Sequence, residues 1–511
     1  MKITVDSKNT LRPLENFWTH IHFHPTDAIE DQWGRDILDR VAGDGAARYV
    51  RIYSMFEDMV GKNKSGELVY DFTLNDRRMD YLVSKGFKLL VCFNFMPLAL
   101  AKNPGQVSVM ERYKGKRINF SEPADYHEWQ EVCYTYASHL IQRYGLERVS
   151  TWYMHCWNEP DHCYWLNDNS AADYSEEKLA AYTRLYDHFA AGISKASTAI
   201  KIGGPSAASN RTFIEEFILH TKEGTNHATG ETGTKIDFFS VHTYSMHPSS
   251  IQKGDCPSIS KLYAKVKYAS DVMKKYGYAD REILIDEWGP TSSGFISKDK
   301  IPEVVYRDTE YFPAFYAKLV DHYIRELPPH NIRVSKMMIC LSGQHNLVED
   351  FDGYRSFFTL SFYPKPIYNG YAMLSKLGDN LLEHQADREN DNLGVIPTLD
   401  GNGNCKILMY YTHEDMRKNL ENCKVSLQIK GLSGSYRVRH YRIDHLYSNA
   451  HTKWLELGKP EKATQLEREN IKSAGRLSLY YPEEVVDNLS EYMETVIMTK
   501  NSLSLIELDR V

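Results

Sequence analysis

The sequence predicts an α/β protein in which a (β/α)8 TIM barrel is followed by an antiparallel β-sandwich. Between about residues 16 and 380, eight short apolar runs alternate with helix-like segments. Strands that alternate with helices favour a parallel sheet, and eight repeats favour its closure into a barrel. A doubly wound sheet is the competing interpretation, but no Gly-x-Gly-x-x-Gly motif follows the first strand. After about residue 383 the apolar pattern changes to period two, which is typical of antiparallel strands.

The predicted barrel strands are mostly continuous apolar runs, as expected where helices cover a parallel sheet. They are residues 16–23, 47–53, 88–95, 149–157, 200–204, 236–244, 281–288 and 334–342. Between them, residues 125–145, 177–197 and 260–277 repeat apolar side chains at helical spacing. In the first of these helices the apolar stripe runs from Trp129 to Tyr144, and Gly145 ends it.

We expect three segments along the chain. Residues 13–382 form the barrel, and residues 383–511 form the sandwich, with a hairpin turn at Asp400-Gly401-Asn402-Gly403. Residues 1–12 precede the barrel and are expected to add a strand to the sandwich.

Composition and charge exclude several function classes. The net charge is −7, so a nucleic-acid-binding surface is not expected. The sequence has no run of 18 apolar residues, so a membrane span is not expected, and the start of the chain has no apolar signal segment. The eight cysteines form no Cys-x-x-Cys pair, which favours reduced thiols and a cytoplasmic protein. The 35 tyrosines and 8 tryptophans suit either sugar rings or an aromatic core.

Two carboxylates follow predicted strands four and seven, where a barrel gathers its active site. Strand four ends in Asn158-Glu159-Pro160, and strand seven ends in Asp286-Glu287-Trp288. A Glu before Pro often only terminates a strand. Two carboxylates across one barrel mouth, however, are what glycoside hydrolysis requires: one as a protonated acid and one as an ionised nucleophile.

Long motifs in both parts of the chain resemble glycoside hydrolase family 39, the clan A family of β-xylosidases and α-L-iduronidases. They include "RYGLERVSTWYMHCWNEPDH", "KIGGPS", "PKPIYNGYAMLSKLG" and "YRIDHLYSNAHTKWLELGKP". The resemblance implies a retaining exo-glycosidase that acts on oligosaccharides or glycosides and needs no cofactor or metal. It makes Glu159 the acid/base and Glu287 the nucleophile. Related xylosidases often form tetramers, so a homo-oligomer is left open.

The resemblance also implies roles for side chains around these carboxylates. Arg51 would hydrogen-bond the nucleophile and keep it ionised. Asn158 would contact the sugar 2-hydroxyl, and His242 and Tyr244 would line the sugar pocket. Trp288 is interpreted either as a stacking platform for the substrate or as plain core.

The identity of the sugar stays open, because the chain departs from both branches of the family. Xylosidases have Arg-x-His on strand two, whereas this chain has Arg51-Ile52-Tyr53. Iduronidases carry a Lys shortly after the His of strand six, where Tyr244 stands here. We favour a β-D-xylosidase that removes xylose from xylo-oligosaccharides. The alternative is the same mechanism on another sugar, as in an α-L-iduronidase-like enzyme or an arabinosidase.

Two other function classes compete with a glycosidase. His20, His22 and His24 alternate along the first strand, which resembles metal-dependent amidohydrolases that bind a metal through His20 and His22. That class needs a His on strand five and an Asp on strand eight, and neither is present. In a glycosidase, His22 and His24 would instead line the pocket. A barrel that binds glycans without cleaving them is disfavoured by the presence of both carboxylates.

The two-carboxylate mechanism predicts opposite pKa shifts. The charge of Glu287 should raise the pKa of Glu159, and Arg51 should hold the pKa of Glu287 low. A flat pH–rate profile between about pH 4 and 9 would contradict these assignments.

Overall fold

The computed structural model describes residues 1–23, 29–110, 115–162, 164–167, 174–208, 210–341, 347 and 349–511. Eight parallel strands close into a barrel in sequential order, so the predicted fold class is confirmed. The barrel strands are His20–Phe23, Tyr49–Tyr53, Lys88–Phe93, Tyr153–Cys156, Lys201–Ala207, Phe238–Tyr244, Glu282–Gly289 and Val334–Leu341. We number them one to eight in that order. Each overlaps its predicted segment, because buried parallel strands are continuous apolar runs that sequence alone reveals.

Helices follow the strands and cover the outside of the barrel. The main helices are Gln32–Gly43, Thr73–Ser84, Tyr126–Tyr144, Glu176–Ala196, Arg211–Glu223, Ile259–Lys275, Tyr311–Glu326 and Pro366–Leu374. Short helices lie at Leu146–Val149 and Ser249–Gln252. The stripe predicted for Tyr126–Tyr144 is buried from Trp129 to Leu140. Inside the barrel, an apolar layer closes the floor beneath the catalytic end; it consists of Leu90, Tyr153, Phe238, Leu284 and Met338.

Two short hairpins extend from the catalytic end of the barrel. Val60–Lys62 pairs with Leu68–Tyr70, and Val107–Met110 pairs with Lys116–Asn119. Both belong to the connections that follow barrel strands, where loop length varies without disturbing the barrel core.

The second part of the structure is one curled sheet of ten strands. Its strands are Lys2–Pro13, Asn380–Ala386, Leu393–Leu399, Cys405–Tyr411, Cys423–Lys430, Tyr436–Ile443, Ser478–Leu479, Glu484–Val486, Glu491–Met498 and Ser502–Arg510. The strand Lys2–Pro13 pairs antiparallel with Asn380–Ala386 and parallel with Cys423–Lys430. Curling brings side chains such as Val425 and Ile506 into one core.

Local chemistry determines the predicted turn of this sheet. The carboxylate of Asp400 accepts hydrogen bonds from the backbone N–H groups of Asn402 and Asn404, each at 2.9 Å. Gly403 takes a φ of 80°, a conformation that favours glycine. The turn joins Leu393–Leu399 to Cys405–Tyr411 as an antiparallel hairpin.

The curled sheet packs against barrel helices. Tyr311–Glu326 and Pro366–Leu374 contact its strands, and Leu408, Ile443 and Leu505 of the sheet share the barrel's hydrophobic core. The helices Ala450–Glu456 and Gln465–Ala474 are inserted between its strands. Within the described part of the chain, no helix combines the length and apolarity that a membrane span requires. The seven described cysteines are free thiols, and only Cys256 among them is not fully buried.

Candidate active site

Glu159 reaches the barrel mouth from an irregular turn that ends strand four. Trp157 and Glu159 have φ values of 63° and 48°, which non-glycine residues rarely adopt. The Glu159 N–H donates to the carbonyl oxygen of Ser206 on strand five at 3.1 Å, and this bond anchors the turn. Backbone strain of this kind persists where the surrounding structure imposes it, and it is common at active sites.

A β-bulge in strand seven turns two consecutive carboxylates toward the barrel interior. Ile285 lies opposite Val241 of strand six, but Glu287 lies opposite the next residue, His242. In the pairing with strand eight, Ile285 lies opposite Met337 and Trp288 lies opposite Ile339, so three steps along strand seven match two along strand eight. Strand seven therefore carries one extra residue at this point. Strict alternation would place Asp286 and Glu287 on opposite faces. Because of the bulge, both lie near the Arg51 guanidinium.

Arg51, in the middle of strand two, is the centre of the polar network. It is fully buried and donates 2.7 Å hydrogen bonds to Glu287 Oε1 and to Asn158 Oδ1. It also lies 3.3 Å from Asp286 Oδ2 and donates to His155 Nε2 at 3.2 Å. One guanidinium therefore joins three carboxyl or amide side chains from strands four and seven, as its planar fork allows.

Three further side chains surround the Glu287 carboxylate. Tyr244 donates its hydroxyl to Oε2 at 2.7 Å, and His22 Nδ1 and the Tyr53 hydroxyl lie 3.2 and 3.5 Å from Oε1. Burial opposes ionisation of Glu287, but the positive charge of His242, the contact with His22 and the charge of Arg51 hold its pKa well below the usual range. Glu287 is thus ionised, as the sequence predicted.

His242 lies between the two carboxylates. Its Nδ1 is 2.8 Å from Glu159 Oε1 and 3.7 Å from Glu287 Oε2, and its Nε2 is 3.7 Å from Asp286 Oδ1. Burial disfavours a charged imidazole, but the charges of Glu287 and Asp286 and the hydrogen bond to Glu159 raise the pKa of His242 to about 10. His242 is therefore a cation at neutral pH.

The predicted rise in the pKa of Glu159 is wrong. Burial and the charge of Glu287 raise this pKa, but the hydrogen bond and the positive charge of His242 outweigh them and lower it. The sequence predicts a place for His242 beside the sugar, whereas in the structure His242 is hydrogen-bonded to Glu159. The proton of the Glu159–His242 hydrogen bond therefore belongs to His242.

A cavity of about 680 Å³ opens above these groups. Glu159 and Glu287 both line it, together with Asn158, Tyr53, Tyr244 and Arg355. This volume lies within the range of small-ligand sites. The structure thus brings together Arg51, Asn158, Glu159, His242, Tyr244, Glu287 and His22 from the predicted set. The prediction that His22 and His242 line the pocket is wrong, because both are buried behind the carboxylates and do not line the cavity.

Trp288 belongs to the core, so the prediction that places it at the substrate is wrong. Its side chain is fully buried, stacks on Tyr316 with ring centroids 5.3 Å apart, and donates its indole N–H to the Tyr371 hydroxyl at 3.2 Å. Both partners are on outer helices, because Trp288 follows the bulge and points away from the barrel axis. His24 lies outside the described residues.

The arrangement of the histidines does not fit the metal-site alternative. The His20 imidazole lies below the catalytic layer and accepts a hydrogen bond from the Tyr49 N–H at 3.3 Å. His22 lies 3.1 Å from Nη1 of Arg51, and burial and this charge lower its pKa to about 4. In the part of the chain that the structure describes, no group of three candidate metal ligands includes His20.

Sequence reasoning missed several polar residues of the site. In the sequence, Asp286 stands out only as the neighbour of Glu287, and Tyr53 only as a departure from the family pattern. Ser206 supports the site by donating its hydroxyl to Asp286 Oδ2. Arg355 and Lys265 line the cavity from a connection and a helix. Only Asp286 and Tyr53, at strand ends, carried a signal that sequence could have used.

Comparison with known proteins agrees with this geometry. The family model described as "Glycosyl hydrolases family 39" matches residues 1–476. The chain is 27% identical over 495 residues to a beta-xylosidase of Caldicellulosiruptor saccharolyticus, and the matched region covers 95% of this chain and 93% of that protein. It is 28% identical over 305 residues to the alpha-L-iduronidase of Homo sapiens, and this match covers 56% of this chain and 42% of that protein.

A solved structure supports the same fold. The monomeric beta-xylosidase from Caulobacter crescentus CB15 superposes with a TM-score of 0.81 at 20% sequence identity, covering 100% of this chain and 99% of that one. With a family model that matches most of its length, this chain belongs to glycosyl hydrolases family 39, and it is a glycosidase that hydrolyses O-glycosyl compounds.

Proposed function

We propose that the enzyme is a retaining exo-β-D-xylosidase, with Glu287 as nucleophile and Glu159 as acid/base. The observation that carries the mechanism is the closeness of the two carboxylates: one oxygen of each, together with an imidazole nitrogen of His242, lies within 4.8 Å of the others. Retaining glycosidases place their carboxyl groups about 5–5.5 Å apart, whereas inverting enzymes leave room for a water molecule between them.

In the first step, Glu287 attacks the anomeric carbon while Glu159 protonates the glycosidic oxygen. The C–O bond to the leaving group breaks, and an ester forms between the sugar and Glu287. Arg51 and Tyr244 each hold one oxygen of Glu287, which orients the carboxylate for attack. In the second step, Glu159 removes a proton from water, which attacks the same carbon and releases Glu287.

Asn158 is positioned to contact the sugar beside the nucleophile. Its Oδ1 accepts from Arg51 at 2.7 Å, which fixes the amide and leaves the NH₂ group as a donor facing the cavity. A donor at this place can bind the sugar 2-hydroxyl, a contact that strengthens in the transition state.

The choice of xylose rests on the similarity to a beta-xylosidase over nearly the whole chain. A cavity of about 680 Å³ has the size that holds a small ligand, which supports removal of a terminal sugar.

One observation favours an acidic sugar as second candidate. Arg355 lines the cavity beside Tyr244, and among the described residues no carboxylate lies within ion-pair distance of it. Its guanidinium donates to the carbonyl oxygens of Thr291 and Cys340. A guanidinium without a carboxylate partner suits the carboxylate of a uronic acid, as in an α-L-iduronide.

A panel of aryl glycosides tests the proposed function. We expect the aryl β-D-xyloside to be hydrolysed faster than the aryl α-L-iduronide or α-L-arabinoside, with or without a chelator, and the β anomer of xylose to form first. Rapid NMR of the product reports the anomer. Faster turnover of the iduronide would select the acidic sugar. Formation of the α anomer of xylose, or loss of activity with the chelator, would contradict the mechanism.

The Glu159–His242 pair predicts an unusual alkaline limb in the pH profile. With one proton on the pair, activity should persist until His242 titrates, with its pKa of about 10. In His242→Asn, Glu159 must hold the proton alone. Burial and Glu287 raise the pKa of a lone Glu159, but buried glutamates reach only about 8–9. The alkaline limb of kcat/KM should therefore move to lower pH.

The matched control for this experiment is His22→Asn. His22 is already neutral at neutral pH, since its pKa is lowered to about 4, so its removal should leave the alkaline limb in place even if the rate falls. If the alkaline limb of kcat/KM in His242→Asn is unchanged or moves to higher pH, His242 does not share the catalytic proton.

A further inference from the structure

Lys265 lines the active-site cavity from outside the barrel. It lies on the helix Ile259–Lys275, which follows strand six. Leu262, Val266 and Ala269 of this helix are buried, and Lys265 shares their face, so its side chain is directed toward the barrel mouth and is half-buried. An inward-facing lysine at this position requires an explanation, because lysines are mostly exposed.

The Lys265 ammonium has no hydrogen bond or ion pair with the described residues, in contrast to Arg51, which has several. Burial lowers the pKa of Lys265, and the charges of Asp161 and Glu159 oppose this shift without cancelling it. Asp161 already accepts hydrogen bonds from the N–H groups of Ala208 and Asn210 at 2.8 Å each. A desolvated cation without a partner is costly, and a bound anion would remove that cost.

Lys265 lines the cavity together with Glu159 and with His162 and Tyr164, which follow strand four. Arg355, by contrast, donates to the Tyr244 hydroxyl at 3.4 Å, beside Glu287. An acid that protonates the glycosidic oxygen faces the leaving group, so Lys265 faces it too. His162 and Tyr164 line the cavity, with stacked rings 4.9 Å apart that offer an apolar surface to the same group.

We propose that the leaving-group side of the cavity binds an anionic group of the substrate, a carboxylate or a sulfate ester, through Lys265. The natural substrate is then a glycoside whose aglycone, a second sugar or another alcohol, is acidic. This inference rests on the proposed function only in that Glu159 faces the leaving group. It does not depend on which sugar is removed. Lys265 acts as a point charge, which suits both carboxylate and sulfate oxygens.

The test compares three aryl leaving groups on the sugar that the substrate panel selects. Their para substituents are a carboxylate, a sulfonate as the sulfate mimic, and a neutral carboxamide. In Lys265→Met we expect the ratio of kcat/KM for the anionic substrate over the neutral one to fall about tenfold or more relative to wild type. The anionic substituent whose kcat/KM ratio falls more in Lys265→Met identifies the anion that Lys265 binds. Lys261→Met, which changes an exposed lysine one turn earlier on the same helix, should keep the wild-type ratio.

Two outcomes would overturn the inference. One is an unchanged ratio in Lys265→Met. The other is an equal shift of the pH profile for all three substrates, which would mean that Lys265 only adjusts the pKa of Glu159. Calorimetric binding of the same compounds to the Glu287→Gln and Glu287→Gln/Lys265→Met proteins gives the ratio of affinities without turnover. Failure to hydrolyse any aryl glycoside would count against the proposed function, while the affinity ratio would still report on Lys265.

Discussion

Replacing Glu287 by Gln is expected to lower kcat for an aryl β-D-xyloside by about 10⁴-fold or more, the range found when a catalytic nucleophile is removed. The amide is nearly isosteric but cannot form the glycosyl ester. Arg51 and Tyr244 can still donate to its carbonyl oxygen, so we expect the fold and sugar binding to be retained. Stopped assays measure the rate, and calorimetry measures binding of the intact substrate.

Two comparisons give this result its meaning. Glu282→Gln changes a glutamate at the opposite end of the same strand and should leave kcat close to wild type. Glu159→Gln should lower the rate about 10²–10⁴-fold for poor leaving groups and less for activated ones, because only the latter leave without an acid. Azide should restore turnover in both active-site variants, with opposite anomers of the glycosyl azide. A Glu287→Gln enzyme with near-normal turnover would contradict the assigned nucleophile.

Replacing Arg51 by Met is expected to damage both stability and activity. It leaves Asp286 and Glu287 buried without their guanidinium, and breaking a buried ion pair in this way costs about 3–5 kcal/mol of unfolding free energy. Activity should fall as well, because Glu287 loses the charge that keeps it ionised and Asn158 loses the donor that orients it. Urea unfolding and the pH dependence of kcat/KM measure the two effects.

A control and a double mutant separate these effects. Arg442 is a buried arginine of the C-terminal sheet that donates to Asp444 at 2.8 Å, so Arg442→Met should lower stability with little loss of turnover. If the stability loss in Arg51→Met comes from an uncompensated charge, adding Asp286→Asn should recover part of it. Additive losses in the double mutant would show that the cost arises from lost packing instead.

Together, the charges of the site place one proton where the chemistry needs it. Asp286 and Glu287 are balanced by Arg51 and by the imidazolium of His242, and burial strengthens each of these interactions. Glu159 is left as the carboxylate that shares a proton with His242. In the proposed mechanism, this distribution lets one acid and one ionised nucleophile lie within a few ångströms of each other.

The amino-acid pattern alone determined the barrel and the two principal carboxylates. A buried parallel strand is an apolar run, and an outer helix repeats at 3.6 residues, so both are local properties of the chain. The catalytic end of a barrel lies where its strands end, and that rule selected Glu159 and Glu287 without coordinates, while the family resemblance added Arg51 and Asn158.

Only the tertiary structure decided how these residues act. The bulge that turns Asp286 and Glu287 to the same side depends on the registers of strands six and eight. The proton on His242 depends on carboxylates from strands four and seven, and the position of Lys265 depends on how its helix packs over the barrel mouth. Electrostatic interaction depends on distance and burial in space, whereas a sequence pattern records only spacing along the chain.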